Sequence, residues 1–313
     1  MNRYKEYNSP VFNYSTNGLP IFIPKIKLGG LDLNKSSIVT KSFNEAIEEG
    51  FNNYLEKHAT FDNYEVKIDE EQLMKELEEK WLNEAIAEID NITPKEYINS
   101  LASLQDLMDF FAELASASDV GIPDILIDRF KEHGLEAADM LFEFAKNNIE
   151  LKTESNRLAF IHAVYVIGLF KYNEYKEKLI GLLMEYSNEE MISEAVRIAI
   201  SEYGDEILQD LIKAFNEAEH ESAKEHLLIC IAEISKDHPS DEVYYLLKSA
   251  FRVLNNIKVA AEVLGDYGDG RAIPMLRGYV IKNNNKIDKD TFNLIRAVIK
   301  KLGGEIDDLV YGN

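Results

Sequence analysis

The sequence predicts an all-α solenoid of stacked two-helix units. Three observations carry that expectation. The stretch V-A-A-E-V-L-G-D-Y-G-D-G-R-A-I-P-M-L, Val259 to Leu276, reads as helix, glycine-broken turn, helix. Val259, Ala260, Val263 and Leu264 share one face of the first helix, and Ile273, Leu276 and Val280 share one face of the second. Neither helix can bury its apolar face alone, so the unit needs copies beside it. The copies are present. With Tyr267 placed at the turn, Ile234, Tyr203, Phe170 and His133 hold the same place upstream, at separations of 33, 31, 33 and 37 residues. A period in the low thirties with two helices per unit marks an α-solenoid. Finally, Gly134 and Gly204 repeat Gly268, where a helix end wants left-handed backbone, and Leu141, Leu211 and Leu276 follow them at nearly constant distance.

Composition agrees with helices and narrows the environment. Seven prolines and 16 glycines in 313 residues are few. Residues Met1 to Lys5 are polar and charged, with no signal-type apolar core behind them, and no run approaches the ~18 apolar residues of a membrane span. The expected location is cytoplasmic. The one cysteine, Cys230, rules out an intrachain disulfide framework and, between Ile229 and Ile231, reads as a buried core thiol. The net charge of −22 opposes non-specific adhesion to nucleic acid or anionic lipid. It is unevenly spread: Lys248 to Lys301 holds eleven Lys/Arg and five Asp/Glu, whereas Asp62 to Glu96 holds four Lys and twelve Asp/Glu.

Taken in order, the chain divides into an extended arm (1–40), an N-terminal helical cap (41–100) and repeats (101–313). In the arm, Asn17-Gly18 is a two-residue hairpin turn, and Pro20 and Pro24 confine the second arm to an edge or an extended docking strand. In the cap, Ser42 N-caps a helix to His58 carrying Phe43, Ala46, Ile47, Phe51 and Leu55. A second cap helix runs from Ile68 to Ala87, with Asp69, Glu70 and Glu71 favouring its N-terminal dipole and Trp81 as core anchor. Thr93, Pro94 and Glu96 spell N-cap, N1 and capping box. From Leu101 helix follows helix, at 103–115, 123–133, 135–147, 157–170, 174–186, 189–203, 206–218, 222–235, 241–253, 257–266, 271–282 and 290–302, joined by short polar turns.

The residues L-G-D-Y-G-D-G-R-A-I-P-M-L resemble the HEAT-like repeat of bacterial proteins, the kind also found in phycobilin-lyase subunits. The resemblance covers roughly 103–302 and implies a right-handed α-α superhelix with a binding surface. A shorter stretch, W-L-N-E-A-I-A-E-I-D-N-I-T-P-K-E-Y, is similar to a segment of the toxin-binding domain of Xre/ParS-type antitoxins. Trp81, Leu82, Asn83, Thr93, Pro94 and Glu96 match, while Ala85 and Asp90-Asn91 depart from that pattern.

No residue set announces a reaction. Phosphate-cradling glycine motifs are absent. The one histidine cluster, E-H-E-S-A-K-E-H from Glu219 to His226, has neither metalloprotease spacing, because Lys224 and Ser222 occupy the places such motifs need. No catalytic residue, cofactor or metal is therefore expected. What remains is a surface. In a HEAT-like solenoid the second helices line the concave side, and the positive C-terminal segment puts Tyr244, Tyr245, Lys248, Arg252 and Arg277 there, with Lys282 at the edge. Tyrosine and arginine dominate binding hot spots. Arg271 and Asp266 read instead as an ion ladder between repeats. The leading expectation is a non-enzymatic scaffold that binds a protein or acidic peptide, supplied by a partner or by the Asp62–Glu96 region of a second copy. The alternative is a lyase- or chaperone-like subunit holding a small molecule in the groove.

Overall fold

The computed structural model describes residues 33–58, 69–149, 151 and 153–312. The expected hairpin at Asn17-Gly18 and the segment Asp62 to Ile68 lie outside them. Among the described residues the regular elements are fifteen α-helices and four short 3-10 turns, with one isolated β-bridge between Ile86 and Ile92. No described helix is long and apolar enough to cross a membrane. The chain divides between Val166 and Ile167 into two compact units.

In the first unit, α1 (Leu33–His58) starts nine residues before the expected Ser42. Residues 33–40 are therefore helix, not extended arm. The cause is a face of mixed polarity: Ser36, Val39, Thr40, Phe43 and Ile47 recur at helical spacing and are all buried. Ser36 and Thr40 hid that face from a reading of hydrophobicity alone. Ser36 is satisfied by a 2.6 Å hydrogen bond with the Tyr97 hydroxyl. Ser42 is mid-helix; its hydroxyl donates to the Val39 carbonyl and accepts from the Trp81 indole N–H at 3.0 Å. Trp81, on α2 (Glu70–Leu82), is 3% exposed and packs on Phe43 with ring centroids 4.8 Å apart.

Helix α2 ends at Leu82 rather than Ala87. The chain then folds back through a 3-10 turn, Ala87–Ile89, closed by the Ile86–Ile92 pairing and by left-handed Asp90 and Asn91 (φ 67° and 59°). Asn and Asp tolerate that region better than most residues. Thr93 and Glu96 then form the expected capping box of α3 (Pro94–Ser100). Helices α4 (Leu104–Ala117), α5 (Asp124–Lys131) and α6 (Leu135–Ile149) follow. The Arg129 guanidinium donates to the carbonyls of Ile98 and Leu101, at 3.0 and 2.8 Å, so α5 satisfies the exposed end of α3. Helix α7 (Glu154–Phe170) begins in the first unit and ends in the second.

The second unit continues with α8 (Lys176–Glu185), α9 (Glu190–Ser201), α10 (Leu208–Glu217), α11 (Glu221–Ser235), α12 (Asp241–Val253), α13 (Ile257–Tyr267), α14 (Ile273–Asn283) and α15 (Lys289–Lys301). Helices α9, α11, α13 and α15 pack in series, each on the next, while α8, α10, α12 and α14 pack against them. The expected joints recur in the backbone. The residues after His133, Phe170, Tyr203 and Tyr267 are Gly134, Lys171, Gly204 and Gly268, and all have positive φ, between 55° and 83°. Three are the expected glycines, and Lys171 adopts the conformation without being one. At Ile234 the helix continues through Ser235 instead.

Hydrogen bonds tie successive hairpins together. The Tyr203 hydroxyl donates to the Tyr172 carbonyl at 3.0 Å, and the Tyr267 hydroxyl donates to the Ser240 carbonyl at 2.9 Å while accepting the Ser240 N–H. Burial pushes the Tyr203 phenol up to about 12. Cys230 is buried, as expected, with its thiol likewise pushed up to about 12.

Two predictions test this packing. Leu211 and Leu276 are fully buried, so truncating either to Ala should destabilise the fold by about 2–5 kcal/mol in urea melts; unchanged midpoints would overturn the packing described. In the first unit Glu78 is buried at the start of α5, and burial with the nearby Asp124 raises its carboxyl to about 7. A carboxyl whose folded value lies above its unfolded one favours folding when protonated, and that contribution disappears as pH rises through the folded value. Glu78→Gln should therefore raise the melting temperature more at pH 8 than at pH 5.

Candidate functional site

In the C-terminal part of the second unit a cleft of about 420 Å³ lies between the ends of α12 and α14. Its walls come from α12 (Phe251, Arg252), the turn into α13 (Leu254, Asn255, Ile257) and α14 (Met275, Gly278, Tyr279, Lys282, Asn283). The helices meet through Phe251 and Tyr279, edge to face with centroids 5.2 Å apart. On α14 the positions 275, 278, 279 and 282 fall on one helical face, and α12 turns its last turn toward them. The floor is thus apolar and aromatic, and two cations stand at the rim. Arg252 and Lys282 are exposed, and among the described residues neither has an ion pair or hydrogen bond. A larger depression, about 530 Å³, is lined by Glu76, Glu79, Lys80, Asn83 and Glu84. All five come from α2 and its exit, so it is an acidic helix surface rather than a walled site.

The five residues singled out from sequence separate into three environments. Tyr244 is buried, 2% exposed, beneath the Arg271 guanidinium, which stacks on its ring at 4.1 Å. Tyr245 is 58% exposed, and the Lys248 ammonium lies 5.5 and 5.9 Å from the Tyr244 and Tyr245 ring centres. Arg252 reaches the cleft. Arg277 does not: its guanidinium binds the Asp308 carboxylate at 2.6 Å and the Glu305 carbonyl. That contact holds the Asp308 carboxyl below its ordinary range. Of the set, then, Arg252 alone lines the cleft, Tyr245 and Lys248 sit on the neighbouring surface of α12, and Tyr244 and Arg277 serve internal contacts.

The ion ladder differs in its partners from the expected one. Arg271 bridges Asp241 at 2.7 Å and Asp269 at 2.6 Å, joining the start of α12 to the start of α14, and its presence holds the Asp269 carboxyl low. Asp266 pairs with Lys301. Sequence reasoning missed Phe251, Met275 and Gly278 as cleft residues. The signal available was the i, i+3, i+4, i+7 spacing of 275, 278, 279 and 282, which was masked by reading Ile273, Leu276 and Val280 as the only organised face.

The acidic histidine cluster has a structural role. Glu221 accepts from the backbone and side-chain amides of Asn255 and from the Asn256 N–H, and Glu225 accepts from the Asn256 side chain at 2.9 Å. The turn between α12 and α13 is thereby fixed to α11. His226 is buried with Nε2 at 3.0 Å from the Ser187 carbonyl, and burial and nearby Arg197 lower its value. Among the described residues no group of three or more His, Cys, Asp or Glu is placed to hold a metal ion.

Arg271 offers a direct test of how the site is supported. Arg271→Ala should lower the melting temperature and expose Tyr244 to solvent quenching. Arg271→Lys should restore only part of the loss, because an ammonium cannot bridge two carboxylates and stack on the ring at once. Full rescue by lysine would show that charge alone matters there.

No family model, curated protein or solved structure matches this chain.

Proposed function

We propose that this chain is a HEAT-like α-α superhelix acting as a non-enzymatic scaffold, and that it takes an acidic segment of a partner protein in the cleft between α12 and α14. The observation that carries this reading is the pair Arg252 and Lys282. Neighbouring Arg271, Arg277 and Lys301 have carboxylate partners, while these two have none. Their places in the last turns of α12 and α14 suit the helix dipoles. The dipoles do not explain why both cations rim an aromatic and thioether floor. In a chain of net charge −22, two unpaired cations over an apolar cleft form a local exception that attracts carboxylates. Tyr245 and Lys248, on the exposed side of α12, extend the same surface.

The HEAT-like reading is supported by hairpins that recur at the sequence period, by the left-handed joints and by the two series of helices in the second unit. In a solenoid of that kind α8, α10, α12 and α14 line the concave side, where a partner segment would run.

The test is binding of a labelled acidic peptide, followed by anisotropy across a salt series. Charge attraction at an exposed site weakens as ionic strength rises, since screening acts over ~8 Å at physiological salt. Arg252→Glu/Lys282→Glu should abolish binding while lowering the melting temperature only slightly, by the loss of two favourable helix-dipole contacts. Binding indifferent both to salt and to that charge reversal would rule the proposal out. Sedimentation on the same variants separates a partner's segment from the Asp62–Glu96 region of a second copy.

A further inference from the structure

The nature of the bound segment follows from Gly278. We infer that the cleft takes a segment alternating acidic with large apolar side chains, and that one apolar side chain lies directly over Gly278; this rests on the binding role proposed above.

Glycine is disfavoured inside a helix, so its presence at mid-helix calls for a reason. Of the five glycines within α-helices, Gly50, Gly168 and Gly265 have one: a Cβ there would run into Leu77, Ala199 and Val298 respectively. Gly278 has none of that kind. Its φ is not positive, and no heavy atom lies within 4 Å of where its Cβ would stand. Gly181 shares that property but lines no cleft of the second unit described above. At Gly278 the missing side chain leaves α14 open on the face that lines the cleft, which Met275, Tyr279 and Phe251 also line. An apolar side chain laid there would touch two rings and a thioether, with Arg252 and Lys282 on either side for carboxylates flanking it.

The chain supplies a related segment, mixed acidic and apolar though not strictly alternating, against the same helix. Its exit reads Glu305-Ile306-Asp307-Asp308-Leu309-Val310-Tyr311. Arg277 and Asn284, seven residues apart, share a face of α14 roughly opposite the cleft face, and the exit segment runs along it. Arg277 takes Asp308 and the Glu305 carbonyl, Leu309 is 5% exposed, and Asn284 donates to the Val310 carbonyl at 2.8 Å and accepts the Gly312 N–H at 3.0 Å. An arginine for the carboxylate and a buried apolar residue beside it hold this acidic strand. The cleft presents the same two elements on the other face, and none of the described residues fills it.

The experiment uses three labelled probes on the full chain: a peptide of residues 304–311, the same peptide with both apolar residues at 306 and 309 changed to Ser, and oligoglutamate. The native-sequence peptide should bind with salt sensitivity, and the Ser version at least ~10-fold more weakly, the scale on which a single well-packed anchor acts. Gly278→Leu, which fills the floor, should weaken the first peptide by a similar factor with a melting temperature no lower than wild type; Gly278→Ala provides the milder variant should leucine disturb the helix. Equal binding of the two peptides, unaffected by Gly278→Leu but abolished by Arg252→Glu/Lys282→Glu, would overturn this inference and leave the charge-based role standing. The same holds for a wild type that binds oligoglutamate alone. Binding lost in Arg277→Gln yet kept in the double charge reversal would mean that the probe displaces the chain's own exit segment, and the inference fails. A wild type that binds none of the three overturns both readings.

Discussion

A helical hairpin with one apolar face cannot stand alone, and in the second unit the geometry of stacking decides where every other residue goes. Apolar burial drives the association but is not directional. Direction comes from a few polar contacts repeated at the joints. Tyr203 and Tyr267 hold equivalent places in sequence, and each hydroxyl reaches back to a carbonyl of the preceding hairpin. Glu221 does the converse, reaching forward from α11 to the turn before α13. The buried Tyr203 and Tyr267 hydroxyls would be costly unpaired, so once the apolar faces come together only a narrow range of offsets satisfies them. The left-handed residues Lys171, Gly204 and Gly268 add a second constraint, since they fix the direction in which the chain leaves α7, α9 and α13.

Much of this was legible in the sequence because it is periodic. The positions of α8 to α15 agree with the expected spans to within a few residues, and α12 agrees at both ends. Periodicity also foresaw the left-handed joints at Gly134, Gly204 and Gly268. It failed where polar residues carry a buried face. Ser36 and Thr40 lie inside the core of the first unit and extend α1 backwards, but their type gives no apolar signal. Lys171 is left-handed where glycine was the expected marker. His162 and His226 show the same limit. Each stands eight residues before its joint residue and places Nε2 on a serine carbonyl, Ser118 and Ser187 respectively. That repetition becomes meaningful only when the partner carbonyls are seen.

The candidate site was less legible for a different reason. Sequence shows where cations cluster but not which carboxylates they meet. Five positive or aromatic residues on α12 and α14 looked equivalent, and the fold divides them by the direction of each helix face. A shift of two residues, from Arg277 to Tyr279, moves from the exit segment to the cleft, a rotation of about 200° around the helix. Arg271 joins two hairpins through carboxylates at 2.6 and 2.7 Å, and such contacts at partly exposed positions contribute modestly to stability while fixing geometry. The cations left over after these pairings are the informative ones.

Among the described residues α15 is the final helix and packs on α13 and α14. The exit segment packs along α14 and α15. Leu309 is buried, Tyr311 packs on Phe292 with centroids 5.4 Å apart, and acidic residues meet Arg277. The exit segment gives Arg277 a carboxylate partner in Asp308. On the other face of α14, Arg252 and Lys282 stand at a cleft that none of the described residues fills. Lys248, Lys286, Lys289 and Lys300 also lack a carboxylate partner among the described residues, so what sets Arg252 and Lys282 apart is their place at the rim of an aromatic and thioether floor.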